Sequence, residues 1–529
     1  MTKITINNVY CQIIDLNDHD VIKQVDECLS YFVLGHEFTK AYKSGWYDNK
    51  EGKWKKWDGK KHLLSSNLKF LSGLLWRVEA VLRNNGIKFE IEDNRKESPP
   101  GDPIEIKNIE YRDYQNSIVE TALREKSGSI QSATGSGKSI IIARILAAMN
   151  VKTIVYVTGI DLLYQMQEMF EKILKTKIGI IGDGKAEIHR INICTIWTAS
   201  MALGKKYIRE NEEDYTRDEA FNEKNKVRIT KAIKEAELVF FDEAHMMACG
   251  SIQTINNHSV SARYKFGLSG SMWRDDGADL LLEAVCGPLI ITVTSTELIK
   301  QGFLVEPVIH FVSVPKKDNL SSDKYQTIYK EYIIENEIRN DLIVKAAIKL
   351  VKANRKVLIL VKNIKHGKIL LEQLGSQFNT YFIKGDIDSD ERNFVRKSFI
   401  EGIISIMIAT AVYDQGIDIP NLDALILAGS GKSSGRAIQR LGRVIRPFPG
   451  KSKAIVVDFI DQAPYLLGHT SERIKIYRTE AGFKIKLPDR PNDTGKKDLN
   501  GNNESEISKT KKKKSKHVLS NTSGDKVPW

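Results

Sequence analysis

The middle of this chain alternates short, unbroken apolar runs with longer amphipathic segments. Thr153–Val157, Ile191–Thr195 and Leu238–Phe241 are apolar in succession, the pattern of parallel strands buried on both faces. Ser129–Ser132 leads into a Gly-rich loop, and Ile140–Met149 reads as the helix after it. The charged stretch Lys205–Glu237 reads as helical and exposed. Beyond residue 305 the alternation resumes. Val357–Val361, Tyr381–Ile383, Ile404–Ile408, Ala424–Leu427 and Ala454–Phe459 read as strands, with helices at Asn340–Ala353 and Gly367–Leu374 between them. Two such blocks predict an α/β fold with two tandem doubly wound parallel-sheet domains, over residues 105–300 and 301–488.

Both ends of the chain differ from this pattern. Residues 1–98 are dense in aromatics and lysines and predict a small α+β domain, closed by the linker-like Pro99-Pro100-Gly101-Asp102-Pro103. Four of the seven tryptophans lie before residue 80. Lys53-Trp54-Lys55-Lys56-Trp57-Asp58-Gly59-Lys60-Lys61 reads as a hairpin turning at Asp58-Gly59. Its lysines, Lys55 and Lys56 among them, suit phosphates, and its tryptophans offer stacking faces. The alternative is a small-domain core with a solvated lysine edge. The combined reading places Trp57 and Trp76 in the core and the Lys43–Lys61 face on DNA. Residues 489–529, with Lys511–Lys514 in a row, predict a disordered basic tail, either a loose hold on DNA or a solvated segment.

Composition narrows the classes. At 529 residues the chain is long enough for several cored domains. No apolar run is long enough to cross a bilayer, so no membrane partner is expected. Met1–Asp18 is polar and strand-like, without a secretory apolar region. Cys11, Cys28, Cys194, Cys249 and Cys286 are scattered, with no Cys-x-x-Cys pair. That argues against a zinc site or disulfide framework and fits a reducing cytoplasm. The net charge of +13 suits a polyanionic partner, nucleic acid first, although a lysine-rich coding bias produces the same number.

The motifs decide what charge alone does not. Ser132-Ala133-Thr134-Gly135-Ser136-Gly137-Lys138-Ser139 has the form of a P-loop, relaxed at its first position, where serine replaces glycine. Gly135 and Gly137 let backbone N–H groups, including those of Thr134 and Ser136, approach phosphate oxygens, and the following helix start adds its dipole. Lys138 would reach the β- and γ-phosphates of ATP, and Ser139 would hold Mg²⁺. About a hundred residues on, Asp242-Glu243-Ala244-His245 ends an apolar strand. There Asp242 would hold Mg²⁺ through water, Glu243 would polarise the attacking water, and His245 would relay the nucleotide state. Gln439-Arg440-Leu441-Gly442-Arg443-Val444-Ile445-Arg446 lies on the second block. Arg446 is the candidate arginine finger and Arg443 a second phosphate contact; surface arginines for solubility are the alternative. The order places two folds across one ATP. Asp93 with Glu105-Ile106-Lys107 has the outline of half a nuclease site, but lacks the strand pattern and sits in the linker.

With these motifs in order, the chain resembles a superfamily 2 helicase over about residues 108–460. The resemblance implies two RecA-like domains with ATP and Mg²⁺ between them. Tyr111-Arg112-Asp113-Tyr114-Gln115 resembles the adenine-reading motif, with Gln115 on the base edge and Arg112 near it. Val157-Thr158 through Gln165 resembles a motif that touches the DNA backbone, with Val157 where the family usually has proline. Thr195 and Thr198 fit a second backbone-contacting loop, so Thr158, Thr195 and Thr198 join Lys55 and Lys56 as DNA candidates. Ser269-Gly270-Ser271 resembles the motif coupling hydrolysis to DNA grip. Ile408-Ala409-Thr410 through Asp418 resembles the fifth motif, with Gly416 and Asp418 on the nucleotide side, as Gln439 is in the sixth.

Gly442-Arg443-Val444-Ile445-Arg446-Pro447 is closer to DNA translocases than to RNA-processing DEAH-box proteins. Phe266–Ser271, together with Trp57-Asp58-Gly59, Leu63-Leu64 and Gly73-Leu74-Leu75, resembles the UvsW-type helicases of T4-like bacteriophages, relative to which Ser44–Lys53 looks like an insertion. That resemblance implies an ATP-dependent DNA helicase of replication, recombination and repair. It would act on duplex, branched or forked DNA by branch migration, fork remodelling and R-loop (RNA–DNA hybrid) unwinding. Single-strand-binding or recombination proteins would be its partners. The alternatives are an RNA helicase, a restriction-system motor subunit, and an annealing protein with secondary ATPase.

Overall fold

Apolar runs with no polar alternation fold here as strands covered on both faces. The computed structural model describes residues 1–48, 51–107, 109–204, 223–247, 249–270, 279–316, 324–384, 389–410, 419, 421–429, 431 and 440–488. Thr153–Val157, Ile191–Thr195 and Leu238–Asp242 are buried at every position. Between them lie helices of the expected amphipathic kind. Ile160–Leu174 buries Leu163, Met166, Phe170 and Leu174, a spacing that puts all four on one stripe.

The first large sheet has eight strands. In spatial order they are Lys185–Glu187, Ile178–Gly182, Ile191–Thr195, Thr153–Val157, Leu238–Asp242, Tyr264–Ser269, Ser127–Ser132 and Leu289–Val293. All pairings are parallel except the hairpin at the Lys185–Glu187 edge. The second has seven strands, all parallel: Thr380–Ile383, Ile406–Ala409, Val357–Leu360, Ala424–Leu427, Lys453–Asp461, Glu306–Val314 and Lys484–Lys486. Both are open, largely parallel α/β sheets, the architecture expected of two RecA-like domains. Several strands had no clear sequence signal. Ile178–Gly182 carries two glycines, Tyr264–Ser269 carries a lysine and a glycine, and Glu306–Val314 contains proline and histidine. Of the charged stretch Lys205–Glu237, residues 223–237 are described, and the main element there is Glu223–Glu235. It is a helix that buries Ile229 and Ile233, so one face belongs to the core.

Buried ion pairs hold the exit from the strand Ala424–Leu427. Arg339 is fully buried. It donates to Asp461 at 2.8 Å and to the Ala428 carbonyl at 2.8 Å. The Tyr329 hydroxyl takes the Gly429 carbonyl at 2.6 Å, and Arg473, paired with Asp458 at 2.9 Å, takes that of Gly431 at 2.8 Å. Successive carbonyls of one loop are thus held by side chains from separate elements. Removing one partner would leave a buried charge uncompensated.

Residues before the linker form a four-stranded sheet in the order Lys69–Leu71, Tyr10–Ile14, Thr2–Ile6, Phe89–Asp93. It packs with the helices His19–Cys28 and Leu75–Asn84. Arg77 grips Glu283 through two bonds of 2.6 and 2.8 Å, and the Trp76 indole N–H adds a third at 2.9 Å. Trp76 is therefore a half-exposed contact, not the core residue its sequence suggested. Trp57 is half-buried and donates to the Lys60 carbonyl. The hairpin also differs from expectation. Trp46–Asp48 pairs with Lys53–Lys55, so its turn lies before Lys53, while Asp58-Gly59 leads into Lys60–His62, which pairs with Ser30–Phe32. Among the described residues, no helix is long and apolar enough to cross a membrane.

Lys265 ties the N-terminal sheet to the first large sheet. Its buried ammonium donates to the Asn8 carbonyl and, at 2.7 Å, to Asn256 Oδ1. Burial lowers its pKa from 10.5 to about 7, with Cys286 acting the other way and Arg263 reinforcing the shift. The unfolded chain therefore binds the extra proton between about 7 and 10.5, and through this group stability rises with pH across that window. Below about 7 the cost is fully present. Chemical denaturation across that range should show Lys265→Met losing this part of the slope; an unchanged slope would mean that Lys265 does not titrate in the folded protein.

Candidate helicase motor site

The strand Ser127–Ser132 delivers the P-loop to the carboxyl edge of its sheet, and the helix Lys138–Met149 leaves from it. Carboxyl edges of parallel sheets are where open α/β folds bind ligands. Gly137 opens the helix at φ +82°, a left-handed conformation that glycine enters freely. A Cβ there would also sit 2.7 Å from Gln115 Nε2. Ser132, the departure from the strict motif, donates to Ser136 Oγ at 2.7 Å, so it braces the loop from within.

Gln115 is buried. Its amide donates to the Ser136 carbonyl at 3.0 Å, and its carbonyl accepts from the Arg112 N–H at 3.2 Å. The Tyr114 hydroxyl reaches the same Ser136 carbonyl at 2.7 Å. The side chain expected on a base edge is here turned onto the P-loop backbone. Arg112 donates to the Tyr114 hydroxyl at 3.0 Å and lies 4.3 Å from the ring centre of Phe303. Phe303 had no motif to mark it; only the fold brings the segment after helix Ser295–Lys300 beside Arg112.

Glu243 follows the strand Leu238–Asp242 with φ +50° and ψ 45°, a strained conformation for a non-glycine residue. The turn puts its carboxylate 2.9 Å from Lys138 Nζ and 3.7 Å from His245 Nδ1. His245 in turn hydrogen-bonds the Ser269 hydroxyl on the neighbouring strand. Side chains from three sequence motifs therefore form one chain, Lys138–Glu243–His245–Ser269. Burial pushes Glu243 up, but Lys138, His245 and Arg443 outweigh it and hold the carboxyl below its usual range. Asp242 is pushed up to about 7 by burial and by the Glu243 charge, against the pull of Lys138.

The second RecA-like domain closes the site. Residues 440–444 are helical. A Cβ on Gly442 would stand 2.2 Å from Thr134 Cβ, so only glycine lets this helix lie on the P-loop. A Cβ on Gly135 would stand 3.6 Å from Arg446 Cγ, and the Arg443 charge acts on Glu243. Arg446 thus lies beside the P-loop, and Arg443 is near enough for its charge to act on the acidic strand end. Lys451, absent from any motif, caps this segment: its buried ammonium donates to the carbonyls of Val444 at 2.5 Å and Arg446 at 3.0 Å.

Asp242 Oδ1 and Thr134 Oγ1 are buried without a hydrogen-bond partner among the described residues. Hydrated Mg²⁺ and a phosphate oxygen would supply those partners, so the donor set fits both. Ser139 is half-buried in the first turn of the P-loop helix, where it would be a direct ligand. Gly416, Asp418, Gln439 and Ser271 lie outside the described residues.

The DNA candidates fare unequally. Thr158 is half-buried at a strand end. Thr195 is buried as an N-cap, accepting from the Thr198 N–H at 3.3 Å and donating to the Thr198 hydroxyl at 2.8 Å, so of the two only half-buried Thr198 offers surface. Lys55 is held by Asp48 at 2.7 Å and by Glu51, which offsets its charge. Lys56 is exposed, 5.7 Å from the Tyr42 ring centre.

The chain is a superfamily 2 helicase related to DNA helicases of phages and archaea, an ATP-hydrolysing motor acting on nucleic acid. The family described as "Type III restriction enzyme, res subunit" matches residues 108–274, and "Helicase conserved C-terminal domain" matches residues 339–447. The "DNA 3'-5' translocase XPB2" of Sulfurisphaera tokodaii is 27% identical over 418 residues, 72% of this chain and 89% of the relative. The "ATP-dependent DNA helicase uvsW" of Enterobacteria phage T4 is 26% identical over 508 residues, 88% of this chain and 94% of the relative. A crystal structure of T4 UvsW aligns with a TM-score of 0.43 and 22% identity, over 92% of this chain and 99% of that one.

Lys138→Ala should bind DNA yet hydrolyse no ATP. Gly442→Ala should keep nucleotide affinity, read by a fluorescent ATP analogue. Its turnover should fall toward that of Arg446→Ala, roughly three orders of magnitude below wild type. Normal turnover in Arg446→Ala would remove it from the finger role.

Proposed function

We propose that this protein is a DNA translocase that remodels branched DNA. Its tasks are branch migration of four-way junctions, remodelling of stalled forks and unwinding of R-loops during phage replication, recombination and repair in the host cytoplasm. The close approach of Gly442 and Arg446 to the P-loop, with the Arg443 charge acting on Glu243, carries the motor part of this reading. The branched-DNA part is supported by the resemblance to UvsW-type helicases along most of the chain. The name of the Sulfurisphaera relative adds a 3'-5' direction.

In this reading the residues 134–139 cradle the triphosphate, with Lys138 on the β- and γ-phosphates. Ser139 and, through water, Asp242 would hold Mg²⁺, which would supply positive charge against the developing phosphate charge. Lys138 is the counter-ion of Glu243 until phosphates take it. That transfer frees the Glu243 carboxylate to orient and deprotonate the attacking water, coupling nucleotide arrival to the base. Arg446 stabilises the transferring phosphoryl group and Arg443 assists. Asp418, Gly416 and Gln439 complete the second domain's side. The pair His245–Ser269 passes phosphate occupancy to the segment after Ser269, and Thr158 and Thr198 hold the DNA backbone. The Lys43–Lys61 face supplies a second DNA contact, with Lys56 rather than Lys55 as its free charge.

Steady-state ATPase activity with single-stranded DNA, linear duplex, a four-way junction and single-stranded RNA separates the readings. The junction should stimulate most. Strongest stimulation by RNA would overturn the branched-DNA assignment and make the protein an RNA helicase.

A further inference from the structure

The hairpin Trp46–Asp48 and Lys53–Lys55 stands as a separate two-stranded sheet, and its two faces are chemically unlike. Its register pairs Trp46 with Lys55, Tyr47 with Trp54, and Asp48 with Lys53. Directly opposed residues share a face and neighbours alternate, so Tyr47 and Trp54 occupy one side. The other carries Trp46, Asp48, Lys53 and Lys55. That second side is an ion-pair network: Lys55 meets Asp48 at 2.7 Å and also binds Glu51, and Lys53 meets Glu51 at 2.8 Å. Among the described residues the aromatic side has no such cover. Trp54 is 71% and Tyr47 50% exposed, their rings edge-to-face with centres 6.1 Å apart.

A two-stranded ribbon is marginal alone in water, and it gains nothing from presenting two large rings to solvent. The ion pairs brace the ribbon on one side, and on the other the two rings stand open, edge-to-face, as a platform of two aromatic faces. Between residues 40 and 62 lie eight lysines and three acidic residues, so the surroundings attract a polyanion. Flat aromatic faces in a positive field suit nucleobases, and bases offer their faces only when unpaired.

We propose that Tyr47 and Trp54 stack unpaired bases of single-stranded DNA at a branch, with Lys55 acting as the brace that stiffens the hairpin. This deepens the branched-DNA reading and rests on it for its setting. The platform would hold the strand displaced as paired DNA enters the motor.

The full chain is titrated, without nucleotide, with a labelled single-stranded oligonucleotide, a fork with single-stranded arms and a blunt linear duplex. The double variant Tyr47→Ala/Trp54→Ala should lose roughly ten- to hundredfold in affinity for the first two and keep its affinity for the duplex. Trp54→Phe, which retains a ring, should restore most of the loss, and Lys55→Met should weaken single-strand binding with both rings present. An unchanged unfolding midpoint in the double variant excludes misfolding as the cause. An equal loss on blunt duplex would overturn the proposal in favour of a general duplex contact. No loss on any DNA would overturn it and turn the platform toward a protein partner. Because affinity is read without ATP, failure of the branched-DNA reading, which shows in ATPase stimulation, is distinguishable from failure of this one.

Discussion

The ion pair between Lys138 and Glu243 is the contact on which the site's arrangement depends. It forms only because the two side chains leave the same sheet edge with one strand between theirs. Glu243 reaches Lys138 by adopting a left-handed backbone, φ +50°, that non-glycine residues enter at a cost. The pair also fixes the charge state of its neighbourhood. Lys138 favours the Glu243 carboxylate, and that charge, with burial, raises Asp242. A divalent cation and a triphosphate, the ligands proposed for this site, would redistribute these charges.

Communication across the domains rests on contacts with little tolerance. The P-loop and residues 440–444 approach so closely at Thr134 and Gly442 that no side chain fits between them. The arginine segment is held at its far end by Lys451 and by the Val305 N–H on the Ile445 carbonyl at 2.8 Å. Val305 follows Phe303, which lies beside Arg112, so one connection touches both the second domain's arginine segment and the first domain's Tyr114–Gln115 region. The buried pairs Arg339–Asp461 and Arg473–Asp458 hold the loop that leaves the strand before that segment. Such pairs add little net stability compared with apolar packing, but they leave few alternative positions for the carbonyls they grip.

The N-terminal sheet and the first motor sheet share one apolar core, and charged and polar contacts add to it. Arg77 and Trp76 on Glu283, and Lys265 on Asn8, link the sheets at separate points. A DNA contact on this unit would therefore move with the first RecA-like domain rather than with the second. Lys55, which the sequence presents as a candidate DNA contact, is engaged by Asp48 and Glu51, while Tyr47 and Trp54 are left outward.

The sequence alone was enough to determine the two α/β blocks, the P-loop, the acidic strand end and the arginine segment. Continuous apolar runs and glycine spacing depend on local chemistry, and strands such as Thr153–Val157, Ile191–Thr195 and Ala424–Leu427 follow it residue by residue. It was not enough where a residue's role depends on what packs against it. Tyr264–Ser269 is a central strand despite a lysine and a glycine, because Asn8 and Asn256 receive the lysine. Gln115 faces the P-loop because its partner, the Ser136 carbonyl, comes from a position that no local pattern reveals, whereas Thr195 and Lys55 are taken up by neighbours in sequence, Thr198 and the pair Asp48 and Glu51. Phe303 and Lys451 carry no motif at all. Tertiary structure decided these, since a polar side chain's fate depends on which partner reaches it first, and that partner is chosen by the fold.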